Sequence, residues 1–513
     1  MRKQNWIIMA VCACVAYASH AAPLNAREAN IIKARLVPAP KRVDLTDGPD
    51  VVLNDALAVT LACTKDGALA EKQVRETFKA WFGCRPKVTS AAPSDTVPKI
   101  AGAYRIVSTK GTLRIEAADA GGARNAMRTL RQLAEPLRGT RTLTSYFIPE
   151  TVIDDAPVMA FRGFHLCWFP ENTPVEIERY IRLAAYYKMN YIVLESWGMF
   201  VFKNHPELAW PGSTMTPREI KRLVKIANEL GVTLIPQINL FGHATGSRVN
   251  SGKHSILDFH PELQPLFEPN GWTWCHSNPE AMALLEELVL EMHDAYGRPP
   301  YFHAGCDEAY DMGTCAQCRR SDYPKVVATC LTRIHDALAK RECRMMMWHD
   351  MLLRSGDPRW KGYYANGAEW AETLLDALPR DIVICDWFYS PPVKGEKEGE
   401  TYPTLRYFKS KGFPVLSCPW EHRDGYAAQS RAVQEIGLDG MLSTTWHHLY
   451  GHQSMRQIYW SAAHAMWGTQ QFGYGLLDFT RHLRQAGWDV PLKNYVDTGF
   501  NHHQVPEKNF TPR

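Results

Sequence analysis

The segment His303-Ala304-Gly305-Cys306-Asp307-Glu308 sets two carboxylic acids side by side behind a glycine and a histidine. An isolated Asp-Glu pair is usually a solvated surface dipeptide. This pair follows the short β-like run Tyr301 to His303, which places it at the end of a strand. Gly305 lets the backbone turn closely there, and His303 can brace the turn. Adjacent carboxyl groups suit the cleavage of a glycosidic bond, which needs an acid to protonate the leaving oxygen and a group to stabilise an oxocarbenium-like centre. Where the sugar carries a 2-acetamido group, its carbonyl oxygen can be the nucleophile. One carboxylate then orients the amide while its neighbour acts first as acid and later as base.

Such groups need a scaffold that aims them at one point. Beyond residue 157, eight apolar β-like runs alternate with amphipathic helical stretches. The runs are Gly163 to Cys167, Asn190 to Glu195, Thr233 to Ile238, Tyr301 to His303, Met345 to Trp348, Ile382 to Asp386, Pro414 to Ser417 and Gly440 to Ser443. Helical segments intervene at Val175 to Lys188, Pro217 to Leu230, Pro279 to Ala295 and Lys325 to Lys340. Continuous apolar strands between helices imply a parallel sheet covered on its far side, and eight such units close a (β/α)8 TIM barrel over residues 158–470. An open doubly wound sheet is the alternative.

A barrel carries its chemistry at the carboxyl ends of its strands. Those positions hold His165; Glu195 with Trp197; Gln237, Asn239 and His243; His303, Asp307 and Glu308; Trp348, His349 and Asp350; Asp386, Trp387 and Tyr389; Trp420 and Glu421; and Trp446. Any one of these alone is better read as structural. Eight strand ends converging on Trp, His and carboxylates are not needed by a rim without a site.

Ahead of the barrel, residues 22–157 alternate β-like runs with helical stretches near Ala70 to Trp81 and Ala123 to Leu137, as a small α+β domain does. Asp154-Asp155-Ala156-Pro157 breaks the pattern, and residues 471–513 form a C-terminal extension. Residues 1–21 combine a basic start, the apolar run Trp6 to Ala18 and the small-residue end Ser19-His20-Ala21, the form of a signal peptide. Export to a periplasmic or extracellular space is expected, with lipidation of Cys14 the less favoured variant because the residues ahead of it make a poor lipobox. No later run is long enough to cross a membrane. A net charge of +4 from 58 basic and 54 acidic residues provides no field for nucleic acid. Cleavage leaves eleven of the 13 cysteines. Cys63 could pair with Cys84. Cys315-Ala316-Gln317-Cys318 has the spacing of half a zinc site, with no second Cys-x-x-Cys to complete it, so a local disulfide, a distorted metal site and free thiols all fit.

The acidic segment resembles the His-x-Gly-Gly-Asp-Glu motif of glycoside hydrolase family 20, the β-N-acetylhexosaminidases, with Cys306 at the second glycine. Leu234 to His243 looks like that family's third-strand segment, and Phe161-Arg162-Gly163 like the opening of its first strand. Tyr104-Arg105-Ile106, Ala120 to Ala123 and Thr129 to Leu133 resemble its accessory α+β domain. Gly-Cys-Asp-Glu, Phe-Gly-His and Trp348 to Leu352 are closest to the hexosaminidase D-like branch, whose members accept β-GalNAc and β-GlcNAc ends.

The resemblance implies an exo-acting, retaining hydrolase of terminal β-linked N-acetylhexosamine on a glycan, with no cofactor or metal at the site. Asp307 would polarise the acetamido group. Glu308 would be the general acid/base, its pKa raised by its charged neighbour and a desolvated pocket. Trp348, Trp387 and Trp446 would wall the sugar pocket, with Asp350 beside them and Tyr389 reaching the acetamide; His243 would be either a buried brace or a direct support of Glu308.

Departures from the family pattern fall on the groups that bind O3, O4 and O6. The usual arginine position is Pro170, Glu195-Ser196-Trp197 stands where an Asp is common, and the last strand reads Trp446-His447-His448 instead of Trp-x-Glu. Glu195 and His165 are the candidates for the missing contact. A sugar-binding protein without turnover is an alternative on the same fold. A metal-dependent hydrolase built on His303, Asp307 and the two nearby cysteines is another.

Overall fold

The computed structural model describes residues 25–46, 48–109, 111–136, 146–170, 172–245, 256–397, 399–446, 452–467 and 479–488. The signal-peptide segment 1–21, with Cys14, and most of the extension 471–513 lie outside these residues.

Eight parallel strands close into a barrel: β1 (Phe161–Cys167), β2 (Tyr191–Glu195), β3 (Thr233–Gln237), β4 (Tyr301–His303), β5 (Arg344–Trp348), β6 (Val383–Trp387), β7 (Val415–Cys418) and β8 (Gly440–Ser443). Closure comes from β1 pairing with β8, Phe161 opposite Gly440, which excludes the open sheet. Strand limits differ from the apolar runs by at most two residues. At β6 the difference matters, because the strand extends through Trp387 and fixes that side chain rigidly.

The connecting helices start on a recurring signal. Thr173, Thr216 and Asn278 each cap a helix through the side chain, and each is followed by a proline at the first helical position. The cap satisfies an orphan N–H, and the proline has none to lose. Every residue of β1, β6, β7 and β8 is buried, as strands covered by helices outside and by packed side chains inside require. The amino end of the barrel is plugged by Phe161 stacked on Tyr191, centroids 4.3 Å apart, with Tyr301 edge-on to both. Near the carboxyl end, register puts Cys167, Glu195, Gln237 and His303 in one row around β1 to β4.

The amino-terminal domain holds a six-stranded sheet in the order Arg42–Leu45, Thr151–Asp155, Tyr104–Thr109, Thr112–Ala117, Ala58–Cys63, Lys87–Ala91. Helices Gly67–Thr77 and Ala120–Leu133 pack with it, the second starting three residues before the expected stretch because Asp119 caps it.

The join to the barrel is polar and buried. Asp155 accepts from Lys188 Nζ at 3.1 Å, Tyr104 Oη at 2.7 Å and Trp467 Nε1 at 2.6 Å. Both charged side chains of this group are fully buried. Removing one member of a buried pair strands the other charge, so Lys188→Met is expected to cost about 3–5 kcal/mol of stability, read as a lowered Tm.

Candidate active site

After β4 the chain makes a turn that few side chains tolerate. Gly305, Cys306 and Glu308 all have positive φ, at 65°, 73° and 49°. Each non-glycine residue there stores about 1–3 kcal/mol of strain, which the surroundings must hold. His303 does brace the turn: its Nδ1 accepts from the Gly305 N–H at 3.1 Å. A side chain at Gly305 is impossible, since its Cβ would stand 1.6 Å from Asn239 Oδ1. From the β3 side, Gly242 lies against the pair itself, where a Cβ would meet the carbonyl oxygens of Asp307 at 2.4 Å and Glu308 at 2.7 Å. Both small residues are therefore required by close approach.

Asp307 and Glu308 thus sit at the carboxyl mouth, Asp307 buried and the Glu308 side chain one-third exposed. His243, whose φ is also positive at 58°, lies between them. Its Nε2 is 3.0 Å from Glu308 Oε2 and 3.5 Å from Asp307 Oδ2, so the histidine is both buried and in direct contact with Glu308. Trp272 packs against the His243 ring and donates from Nε1 to the Glu308 carbonyl at 2.6 Å.

A third carboxyl group completes the cluster. Asp350, fully buried just past β5, accepts from the Glu308 N–H at 3.1 Å and Asn366 Nδ2 at 2.9 Å through Oδ2, and from Trp387 Nε1 at 3.3 Å through Oδ1.

The electrostatics correct one expectation. Burial and the charge of Asp307 raise Glu308, but the hydrogen bond and charge of His243, joined by a hydrogen bond from Tyr310, outweigh them, and the net shift is downward. The raised group is Asp350, pushed up to about 7 by burial and then by the charges of Asp307 and Glu308. A carboxyl whose folded value exceeds its unfolded one stabilises the fold fully below the unfolded value and loses that contribution as pH rises through the folded one. For Asp350 the window runs from about 4 to about 7 and is worth at most about 4 kcal/mol. Melting curves of Asp350→Asn and the parent across this range should show the variant gaining on the parent as pH rises; a constant difference would contradict the assignment.

Aromatic faces surround the cluster. Trp387 is stacked on Tyr364, 4.2 Å away, and on Tyr389, 5.5 Å away, and the two tyrosine rings are themselves 5.5 Å apart. Trp446 Nε1 donates to Tyr389 Oη at 2.9 Å, which ties the Tyr389 ring to the wall while its own O–H remains a donor. Trp348 is fully buried and packs on His303 at 4.2 Å and on His165 and Trp446, both at 5.6 Å. It is floor rather than wall.

His165 and Glu195 require correction more strongly, since both are buried below the mouth. Glu195 Oε1 accepts from Gln237 Nε2 at 2.9 Å and Asn239 Nδ2 at 3.0 Å, while Oε2 faces Trp197 Nε1 at 3.0 Å, His165 Nε2 at 3.1 Å and Cys167 Sγ at 3.3 Å. These five groups consume the carboxylate, which makes it the keystone of the layer beneath the site and not a hydroxyl-binding group. Ligand atoms within 4.8 Å of one another join Asp307 to His243 and Glu308, and Cys315 and Cys318 to Glu268 and Cys275; His303 belongs to neither set, which removes the basis for a metal-dependent hydrolase on His303, Asp307 and those cysteines.

Trp272, Tyr310, Tyr364 and Asn366 are site residues that the strand-end rule does not reach. They stand on long loops, and their trace in the sequence is aromatic density, as in Gly271-Trp272-Thr273-Trp274 and Gly362-Tyr363-Tyr364.

Paired carboxylates under aromatic faces at the mouth of a closed parallel barrel define the class: a (β/α)8 protein equipped for acid and base chemistry. The description "Glycosyl hydrolase family 20, catalytic domain" matches residues 160–388, and "Glycosyl hydrolase family 20, domain 2" matches residues 33–156. The chain belongs to glycoside hydrolase family 20.

It is 25% identical over 335 residues to a β-N-acetylhexosaminidase of Cellulomonas fimi, a match covering 59% of this chain and 64% of that protein. It is 26% identical over 277 residues to hexosaminidase D of Bos taurus, covering 52% of this chain and 70% of that protein. The fold matches the family 20 β-N-acetylhexosaminidase of Streptomyces coelicolor A3(2) with a TM-score of 0.65 at 16% identity, over 95% of this chain and all of that one.

Proposed function

We propose that the protein is an exo-acting glycoside hydrolase that removes terminal non-reducing β-linked GlcNAc or GalNAc with retention of configuration, by substrate assistance. The observation that carries the reading is His243 Nε2 lying within 3.0 Å of Glu308 and 3.5 Å of Asp307, both set at the barrel mouth by a strained turn. Such strain is kept where function demands a fixed geometry.

In this reading Glu308, the more exposed of the pair, protonates the glycosidic oxygen. The acetamido oxygen of the sugar attacks the anomeric carbon from the opposite face, and Asp307 holds the amide N–H and the positive charge that develops on it. Water then opens the cyclic intermediate, with Glu308 taking its proton. Trp387, Tyr364 and Trp446 supply flat faces for the ring. The decisive assay is hydrolysis of para-nitrophenyl β-GlcNAc and β-GalNAc with the anomeric product followed by NMR. The β-anomer is expected first; an inverted product would refute the mechanism, and absence of turnover across a broad glycan panel would favour a binding protein.

The depressed state of Glu308 has a kinetic consequence. Its acid form is scarce in the empty site, and a bound sugar that expels water favours that form. Because kcat/KM reports the free enzyme and kcat the complex, the alkaline fall of kcat is expected at higher pH than that of kcat/KM. Coincident limbs would show that substrate leaves the acid unperturbed.

A further inference from the structure

Away from the carboxylates, the loops after β3 and β4 meet at a second cluster. Cys275 Sγ lies 3.7 Å from both Cys315 Sγ and Cys318 Sγ, and a carboxylate oxygen of Glu268 completes a set whose ligand atoms are all within 4.8 Å of one another. Zinc bound tetrahedrally at about 2.3 Å per sulfur separates its sulfurs by about 3.8 Å, the spacing found here. A disulfide would need a pair at about 2.05 Å and would leave the third thiol unmatched.

Glu268 is the second pointer. It is fully buried, its Oε2 already accepts from Thr314 Oγ1 at 3.2 Å and from the Cys315 N–H at 2.5 Å, and no Lys, Arg or His among the described residues forms an ion pair with it. A carboxylate buried without a counter-charge is costly, and a divalent cation amid the sulfurs would supply one. The Cys318 N–H donates to Cys315 Sγ at 3.3 Å, which holds that sulfur in place within the cluster.

We propose that Glu268, Cys275, Cys315 and Cys318 form a closed structural zinc site that staples the β3 loop to the β4 loop. Three thiolates and one carboxylate make a four-coordinate shell of the kind zinc accepts, with no open position for chemistry. Each stapled loop carries a residue of the active-site rim. Trp272, three residues before Cys275, donates to the Glu308 carbonyl and stacks with Tyr310 at 6.5 Å and 17°, while Tyr310 stands five residues before Cys315. Thr273 Oγ1 donates to Asp311 Oδ1 between them. The site itself stands independently of the proposed hydrolysis.

The test is elemental analysis of the full chain purified without a chelating column, with the intact mass measured under denaturing conditions. One zinc per chain, released by a mercurial thiol reagent, is expected. Cys318→Ser should lose the zinc and lower Tm. Glu268→Gln, which keeps size and packing, should release zinc to a chelator faster than the parent, and Cys315→His, which keeps a ligand, should retain it. Metal-free protein two mass units light would show a disulfide and overturn the proposal. So would metal-free protein with all three thiols reactive and a Tm unmoved by added zinc, or a different metal bound at the same stoichiometry.

Discussion

Glu308→Gln is expected to lower kcat on para-nitrophenyl β-GlcNAc by about 10²–10⁴-fold, the range over which a positioned general acid contributes. The amide is nearly isosteric and can still accept from His243 Nε2, so the strained turn and its contact to Asp350 through the Glu308 N–H should persist, with little change in Tm. What the variant lacks is a proton to give. The loss should therefore shrink sharply on a dinitrophenyl glycoside, whose leaving group departs without protonation. An equal loss on both substrates would mean that Glu308 acts by holding the site together and not as an acid.

The second large effect is expected at Asp307. Asp307→Asn removes the charge that would balance the cationic intermediate while leaving a polar group of the same size, and turnover should fall by about 10²–10³-fold, as when a preorganised electrostatic partner of a transition state is lost. KM should move much less than kcat, since the charge being stabilised develops only in the transition state. Asp307→Asn at near-normal rates would leave hydrolysis possible and substrate assistance wrong. His243 contacts both carboxylates, so the two single losses should not add in the double variant.

The barrel was legible because its evidence is periodic. Each strand is a short, largely apolar run, and several of the helices between them open with a cap and a proline, as at Thr173, Thr216 and Asn278; the runs Tyr301 to His303 and Gly440 to Ser443 carry the limits that the structure shows. Asp307 and Glu308 were legible for a related reason: they stand directly after a strand end, where the fold fixes their location.

Residues supplied by long loops were not legible, since no period ties Trp272, Tyr364 or Asn366 to a point in space. The downward shift of Glu308 was hidden in the same way. It depends above all on His243, which stands 65 residues before Glu308.

Glu195 shows a different failure. Its polarity at a strand end looked like a hydroxyl contact, yet register places it beside Cys167 and Gln237 in an inner layer, where neighbouring side chains satisfy it. Polar residues at a strand end divide between rim and layer by a single residue of register, and strand limits read from sequence are no finer than that. The Cys-x-x-Cys was likewise visible while its partners were not, because Cys275 and Glu268 lie on a different loop, 40 and 47 residues before Cys315.

The central claim is that the acetamido oxygen of the sugar is the nucleophile. It is tested most directly by comparing kcat/KM for para-nitrophenyl glucosaminides carrying acetyl, fluoroacetyl, difluoroacetyl and trifluoroacetyl groups on the 2-amino nitrogen. Each added fluorine withdraws electrons from that oxygen, so participation predicts a rate that falls at every step. A rate that stays level across the series would show that the amide takes no part in breaking the bond.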